Sequence, residues 1–205
     1  RVEGFEGGTW SPELLTVGQV GTMLRPRGSA SVGGSTDYWA GFGVGSLMTG
    51  GTEAQFLDFA PDDSTKLWTH MKLELGRLNL PAWSSFFLLE GVTNTDLSFL
   101  QLRVRTTPTG DVQVQARSRD GSGAVIMSPW ISFGADSVSL DMAWDALAGS
   151  FDLWIDGQLV SSMALQPGPY RIDQVQFGVS NPITGQGLIE ATSGLFIDDI
   201  VLLYE

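Results

Sequence analysis

Apolar and polar residues alternate with a period of two in short runs along most of the chain. A period of two places successive side chains on opposite sides of an extended backbone, so each run predicts a β-strand with one buried face. Helix signals are weak and short, at residues 11–13 and 144–148. The pattern therefore predicts an all-β fold. The predicted strands include residues 37–44, 53–59, 67–75, 84–89, 100–106, 112–117, 138–142, 151–155 and 174–178.

Two pairs of these strands are predicted to form hairpins. In the first pair, apolar residues at even positions alternate with glutamine and arginine at odd positions, on both sides of a turn at 108–111. This hairpin should have one apolar face and one face of Gln and Arg side chains. In the second pair, Asp156-Gly157 follows the strand at 151–155, and residues 159–160 form the returning strand. This dipeptide favours a tight turn because glycine accepts positive φ.

Length favours one domain over residues 1–205, and about a dozen short strands with few helix signals predict that it folds as a two-sheet antiparallel β-sandwich. The 205 residues include 26 Gly and 9 Pro spread throughout, with no cysteine for disulfide or thiol chemistry. A formal charge of -12 repels nucleic acid phosphates and anionic membranes, so neither is predicted as a partner. The apolar runs are shorter than the roughly 20 residues that a membrane helix needs, so membrane insertion is not expected.

The last predicted strand has two adjacent aspartates in an apolar run. Strict alternation puts Asp198 and Asp199 on opposite faces of the strand. One of the two carboxylates therefore lies on the buried face, whichever face that is. A buried carboxylate needs a cation or several hydrogen bonds, because an unpaired buried charge is strongly unfavourable. The first segment carries Glu6. In the β-sandwich predicted above, the first and last strands are expected to be neighbours, and these acids would then form an oxygen-rich cation site.

Three segments spread over nearly the whole chain resemble the concanavalin A-like or laminin-G-like jelly-roll superfamily. Residues 4–8 (GFEGG) are similar to the start of many bacterial and phage jelly-roll domains. Residues 151–160 (FDLWIDGQLV) resemble a hairpin of laminin-G-like sheets, and residues 194–200 (GLFIDDI) resemble their final strand. The resemblance implies a jelly-roll sandwich, a fold that serves lectins, glycanases, adhesins and virion proteins.

The resemblance also implies a structural calcium ion, because a cation commonly lies at this place in related jelly rolls. Its ligands would be oxygens of Glu6 and of Asp198 or Asp199, together with backbone carbonyls, which are the hard donors that Ca²⁺ prefers. The alternative is that these acids cap loops or face solvent. The sequence leaves open which aspartate points inward, because both faces of the strand are apolar.

The aromatic residues suggest glycan recognition. The chain has 7 Trp, 3 Tyr and 11 Phe, whose rings either fill a core or stack on sugars. Trp154 and Trp68 share their strand faces with charged residues, so we predict that both are exposed and bind a ligand. Trp83 and Trp130 fall at strand ends or in loops. The alternative is that most of these rings fill the core between the sheets.

The polar face of the first hairpin is rich in hydrogen-bond donors. Arginines at 103, 105, 117 and 119 are four of only 11 basic residues. Together with Gln113 and Gln115, Arg103 and Arg105 are candidates for binding an acidic sugar, a carboxylate or the acidic surface of a neighbouring subunit. The other interpretation, which the sequence favours, is a solvated outer sheet face.

The sequence argues against catalysis. His70 is the single histidine, which leaves little for a Ser-His-Asp triad or a histidine-based metal site. The Glu-x-Asp-x-x-Glu run of glucanases of this fold is missing, as are the Arg/Gln/His strand motifs of alginate lyases of this fold. We therefore predict that the chain is not an enzyme.

These observations predict a non-catalytic extracellular jelly-roll module that recognises a glycan or another surface ligand, with calcium as a structural ion. The alternative is a structural or decoration protein of a phage virion or surface filament, in which the sandwich packs against further copies of itself. A polysaccharide-active enzyme ranks third. Expected partners are a glycan, a protein surface or other subunits, at an extracellular, cell-surface or virion location.

Overall fold

The computed structural model confirms an all-β chain with two antiparallel sheets. It describes residues 63–76, 78, 80–95, 97–178 and 201–205 in full, and the strands outside these ranges mainly through their backbone. None of the described residues lies in a helix, and none could therefore belong to a membrane-spanning helix. In chain order the strands are β1 Val2–Glu3, β2 Thr16–Val17, β3 Arg25–Gly28, β4 Tyr38–Gly43, β5 Gln55–Phe59, β6 Lys66–Glu74, β7 Ser85–Val92, β8 Ser98–Thr106, β9 Val112–Arg119, β10 Val125–Met127, β11 Ile131–Ser132, β12 Ser137–Asp145, β13 Ser150–Ile155, β14 Gln158–Ala164, β15 Gln174–Val179 and β16 Gly194–Tyr204.

The strands form two sheets of eight, which we call sheet A and sheet B. Sheet A has the order β14-β13-β12-β6-β16-β4-β3, with β1 beside β16. Sheet B has the order β10-β9-β8-β7-β15-β5-β2, with β11 beside β9. The pairing of β1 with β16 places Val2 opposite Val201 and Glu3 opposite Ile200. The prediction that the first and last strands are neighbours is therefore confirmed.

The hydrophobic core is formed by the inner faces of both sheets. In β6, the buried residues are Leu67, Thr69, Met71 and Leu73, and the residues between them are partly exposed. In β8, Leu102 and Val104 are fully buried, and they belong to the same core. Each sheet thus buries one face, and its outer face presents the alternate side chains, which a ligand could contact.

Both predicted hairpins are confirmed. β8 and β9 pair from Leu100 opposite Ser118 to Thr106 opposite Val112. β13 and β14 flank the turn at Asp156 and Gly157. These two residues have φ values of 50° and 74°. Positive φ at both central positions is the property of the type I′ turn, whose twist matches that of the flanking strands.

The strict alternation predicted for the last strand is wrong. The pairing of β16 with β6 shifts its register between Asp198 and Val201, as a β-bulge does. The additional residue at the bulge reverses the alternation along the strand. Apolar residues before the bulge and apolar residues after it therefore face the same core. The strand therefore buries one set of apolar residues, although Val201 and Leu203 on its other side are apolar as well. Its buried residues are Leu195, Ile197, Ile200 and Leu202.

The helical turn predicted at 144–148 is also wrong. Trp144 continues β12 into the core, and residues 146–149 form the turn that leads to β13. The Ala148 N–H donates to the Asp145 carboxylate at 2.7 Å, which holds this turn. Gly149 has a φ of 70°, a conformation that ends a helical run and that glycine adopts easily. The turn predicted at 11–13 lies outside the described residues.

Candidate functional site

An arginine- and glutamine-rich surface lies on β8 and β9 of sheet B. The register places Arg103 opposite Gln115 and Arg105 opposite Gln113, so these four candidate ligand-binding residues lie together. Most of their even-numbered neighbours are in the core, and the odd-numbered side chains therefore lie on the outer side of the sheet, where Gln115 is nevertheless buried at 7% exposure. We call this surface the arginine face, and it consists of Gln101, Arg103, Arg105, Gln113, Gln115 and Arg117.

Neutral amide oxygens hold the guanidinium groups of the arginine face in place. The side-chain hydrogen bonds run from Arg117 Nη1 to Gln101 Oε1 (2.8 Å), from Arg105 Nε to Gln113 Oε1 (2.9 Å) and from Arg103 Nη1 to Gln115 Oε1 (3.4 Å). The Gln101 amide donates in turn to Glu90 Oε1 of the neighbouring β7 at 2.9 Å. Because amide acceptors carry no net charge, these contacts orient the arginines without neutralising them.

Among the described residues, no carboxylate forms an ion pair with the three arginines of this face. The ion pairs among the described residues involve Lys66, His70 and Arg171, and none of them reaches the arginine face. The Arg103 Nε is buried and has no hydrogen-bond partner in the described part of the chain. A buried donor without a partner costs about 1–3 kcal/mol. An oxygen of an anionic ligand would satisfy it.

Burial and like charges both act on the central arginine. Burial lowers the pKa of the Arg103 guanidinium, and the positive charges of Arg117 and Arg105 lower it further. Burial also lowers the pKa of Arg105. Arginine nevertheless stays protonated at neutral pH. An anion placed among these cations would relieve their mutual repulsion and replace the hydration that they have lost.

Aromatic rings flank the guanidinium groups. The Arg105 guanidinium carbon lies 4.1 Å from the centroid of a Trp130 ring and 5.0 Å from that of Trp83. The Arg103 guanidinium carbon lies 5.5 Å from Trp130 and 5.8 Å from Phe87. These are cation–π distances. Flat apolar rings beside cations suit a ligand that combines a ring with a negative charge, as an acidic sugar does.

Trp83 is held in a strained backbone conformation next to the arginine face. Its φ of 65° is rare for a bulky residue, and such strain is of the order of 1–3 kcal/mol. Its N–H donates to the Thr106 carbonyl at 2.9 Å, which fixes the conformation. The side chain is 57% exposed, so burial in the core does not explain why a tryptophan stands here. The ring lies instead against the Arg105 guanidinium, at the edge of the arginine face.

Replacing Trp83 with glycine is expected to leave the protein at least as stable and to weaken its binding of an acidic oligosaccharide. Glycine adopts this φ without strain but has no ring. Urea unfolding and isothermal titration calorimetry measure the two effects. Leu147 is also 57% exposed but lies in the turn after β12, so Leu147→Ala is a matched control that should change neither. Lower stability with unchanged affinity would show that Trp83 is structural.

The other two candidate aromatics lie on the outer face of sheet A. Trp68 of β6 is opposite Ala143 of β12, and Trp154 of β13 is opposite Asp141 of the same strand. Both tryptophans are partly exposed. The candidate ligand-binding residues therefore form two groups, on opposite sides of the sandwich, and the structure does not bring them into one site.

The predicted calcium ligands lie outside the part of the chain whose side chains are described. Glu6 is not among the described residues, and Asp198 and Asp199 are described only by their backbone. The side chains that are described include no group of three or more His, Cys, Asp or Glu able to hold a metal ion. The calcium ion stays a prediction.

Solved structures share the fold of this chain, whereas no protein-family model and no curated protein matches it. Alginate lyase Aly36B is similar over 98% of this chain and 96% of its own, with a TM-score of 0.54 and 11% identity. The polysaccharide lyase family 18 protein aly-SJ02 matches 76% of this chain and 81% of its own, with a TM-score of 0.50 and 11% identity. The binding domain of Botulinum Neurotoxin DC, in complex with SialylT, matches 90% of this chain and 42% of its own, with a TM-score of 0.54 and 8% identity.

These likenesses establish the jelly-roll sandwich and correct the predicted function. The prediction of a non-catalytic module was wrong to set catalysis aside, because lyases share the fold over most of their length with this chain. Neither the lyases nor the toxin domain supports the alternative of a virion or filament protein. The laminin-G-like subtype stays a prediction.

Three residues that adjoin the arginine face were not predicted from the sequence. Trp83 and Trp130 were assigned to strand ends and loops, and nothing in the local pattern linked them to Arg105. Glu90 was missed because the pairing of β7 with β8 shifts its register between Phe87 and Leu89, which moves Glu90 out of simple alternation. The arginines at odd positions were the signal in the sequence. They indicated the arginine face but not the residues of other segments that adjoin it.

Proposed function

We propose that the arginine face binds the carboxylates of an acidic polysaccharide and that the chain cleaves this polymer by β-elimination. The observation that carries the proposal is a group of three arginines without a carboxylate partner among the described residues, in a chain with a formal charge of -12. A chain with such an excess of acids could readily pair its few cations internally. Clustered unpaired guanidinium groups are suited to an anionic ligand.

In β-elimination of a uronate, a base removes the proton at C5, the C4–O bond breaks and a C4–C5 double bond forms. The leaving C4 oxygen takes up a proton from water. The negative charge that develops at C5 spreads into the adjacent carboxylate, and the step is difficult while that group keeps its own charge. Arg103 and Arg105 are oriented by Gln115 and Gln113, so their remaining N–H groups can bind the carboxylate and stabilise the developing charge.

We assign the role of the base to Glu90. Its carboxylate accepts a 2.9 Å hydrogen bond from Gln101, which joins it to the arginine face. The single histidine of the chain lies on the other sheet, and Glu90 is the carboxylate that the described hydrogen bonds connect to a glutamine of the arginine face. A positioned general base typically contributes about 10²–10⁴-fold to the rate.

Two further observations support the proposal. A jelly roll similar to this chain over nearly the full length of both is an alginate lyase. The Trp83 and Trp130 rings beside Arg105 suit a polymer of sugar rings better than a small carboxylate. An extracellular location and a structural calcium at the paired terminal strands stay predictions.

The purified chain is expected to release unsaturated products from alginate or polygalacturonate, and none from the neutral polymer laminarin. The ultraviolet absorbance of the new double bond measures the reaction. Glu90→Gln should lower kcat about 10²–10⁴-fold with little change in KM, since it removes the base and keeps the arginines. Glu205→Gln is the control, because this exposed carboxylate pairs with Lys66 on the other sheet.

The possible results separate the two parts of the proposal. Binding of alginate and polygalacturonate without unsaturated product would contradict the cleavage and leave the anion site in place. Failure to bind either polymer would contradict both parts. Full activity of Glu90→Gln would show that another group is the base.

A further inference from the structure

The outer face of sheet A carries a second group of aromatic and polar side chains. The pairings of β12 with β6 and β13 place His70, Asp141 and Trp154 in one row across three strands. Side chains directly opposite one another on adjacent strands lie about 5 Å apart, so the rows form one continuous patch. We call this patch the tryptophan face. It consists of Trp68, His70, Asp141, Ala143, Asp152 and Trp154, all partly exposed.

The imidazole at the centre of the tryptophan face has a fixed orientation. His70 Nδ1 and Asp141 Oδ1 are 2.8 Å apart, and the imidazole stacks on the Trp68 ring at a centroid distance of 6.4 Å and an angle of 16°. Because the carboxylate accepts, Nδ1 carries the proton, and Nε2 of the neutral ring is an acceptor. The two side chains of this pair are 25% and 19% exposed, so a ligand can reach them.

We propose that the tryptophan face binds a neutral glycan. The apolar C–H faces of sugar rings can stack on the indoles of Trp68 and Trp154. Sugar hydroxyls can donate to the carboxylates of Asp141 and Asp152 and to Nε2 of His70. Ala143 stands between Trp68 and Asp152 in the second row and presents only a methyl group, which leaves room for a ring beside the indole.

The charges of this face select against acidic glycans. Asp141 lies between His70 and Trp154, and Asp152 lies in the neighbouring row. A uronate stacked on either tryptophan would bring its carboxylate close to these aspartates, and juxtaposed like charges disfavour binding. The arginine face has the opposite charge and lies on the other sheet. The two faces would therefore take glycans of different charge, and this site does not depend on the proposed cleavage.

A second copy of the chain fits the tryptophan face less well than a sugar does. A symmetric dimer through this face would bring Asp141 and Asp152 of both copies into one buried interface. Burying carboxylates against each other carries a large desolvation penalty, and the two rows carry no lysine or arginine that would compensate it. A glycan avoids this penalty, because its hydroxyls donate hydrogen bonds to the same carboxylates.

Two measurements test the proposal. The first is binding of the protein to a glycan array, and the second is calorimetry with a neutral oligosaccharide to which the protein binds on that array. Wild-type protein is expected to be retained on neutral glycans. Trp68→Ala and Trp154→Ala should each weaken the affinity at least about tenfold, as truncation of an aromatic anchor does. Leu147→Ala removes an equally apolar exposed side chain outside the face and should bind normally. Trp154→Phe keeps an aromatic ring and should retain most of the affinity, which separates lost stacking from misfolding.

Three results would overturn the proposal. The first is retention on acidic glycans alone or on no glycan. The second is binding of neutral glycans that neither alanine substitution weakens. The third is a concentration-dependent dimer in sedimentation that Trp154→Ala dissociates, which would identify a second copy of the chain as the occupant.

Discussion

Replacing Arg103 and Arg105 together with glutamine is expected to weaken the binding of an alginate oligosaccharide at least about a hundredfold. Each guanidinium can form charge-assisted hydrogen bonds to a carboxylate, worth about 1.5–3 kcal/mol, and 1.4 kcal/mol corresponds to a tenfold change in affinity. Glutamine keeps a polar side chain at each position, so the loss reports mainly the charge. Isothermal titration calorimetry at low ionic strength measures it.

A matched control removes an arginine elsewhere. Arg171 is an exposed arginine whose Nη1 pairs with Asp63 at 2.9 Å, away from the arginine face. Arg171→Gln lowers the net charge by the same amount per residue and should leave the affinity nearly unchanged. Added salt should weaken wild-type binding, because it screens partly exposed charges. Equal losses in Arg171→Gln and in the double variant would show a general charge effect and contradict a built anion site.

Replacing Phe151 with alanine is expected to destabilise the protein by about 3–5 kcal/mol. The ring is fully buried on the inner face of β13. It lies in register with Trp144 of β12 and Met163 of β14. A close-packed interior relaxes only partly around a removed ring, so a cavity term adds to the lost burial. Urea unfolding followed by circular dichroism measures the free energy of unfolding.

A smaller change at the same position controls for the chemistry of the substitution. Phe151→Leu keeps an apolar side chain of moderate size and should destabilise by clearly less than the alanine variant, because less volume is lost. An unfolding midpoint of Phe151→Ala equal to that of the wild-type protein would contradict the placement of this ring in the core of sheet A. Such a result would also question which residues of β13, Trp154 included, face outward.

Local pattern predicted much of the fold and part of the site. β6 alternates because one of its faces lies in the core, and the pairing of β8 with β9 follows from the short turn between them. That pairing is why Arg103 and Arg105 could be placed beside Gln115 and Gln113. The pairing of the first and last strands was also predicted, from the β-sandwich arrangement that the strand pattern favoured.

The errors have a common physical origin. Simple alternation fails where a strand contains a bulge, as in β16 near Asp198 and in β7 before Glu90. A bulge depends on how a strand fits its partner and not on its own sequence alone. The helical turn expected after Trp144 failed for a related reason, because Asp145 and Gly149 close a turn between two paired strands.

The sequence by itself determined the strands, the hairpins and the alternation that separates core from surface, because period and turn chemistry are local properties of the chain. Only the tertiary structure decided that Trp83 and Trp130 flank Arg105, that the arginines have no carboxylate partner in the described part, and that Trp68 and Trp154 share the opposite sheet. These contacts join strands and loops that are far apart in the sequence, and packing between them, rather than any local pattern, determines which side chains meet.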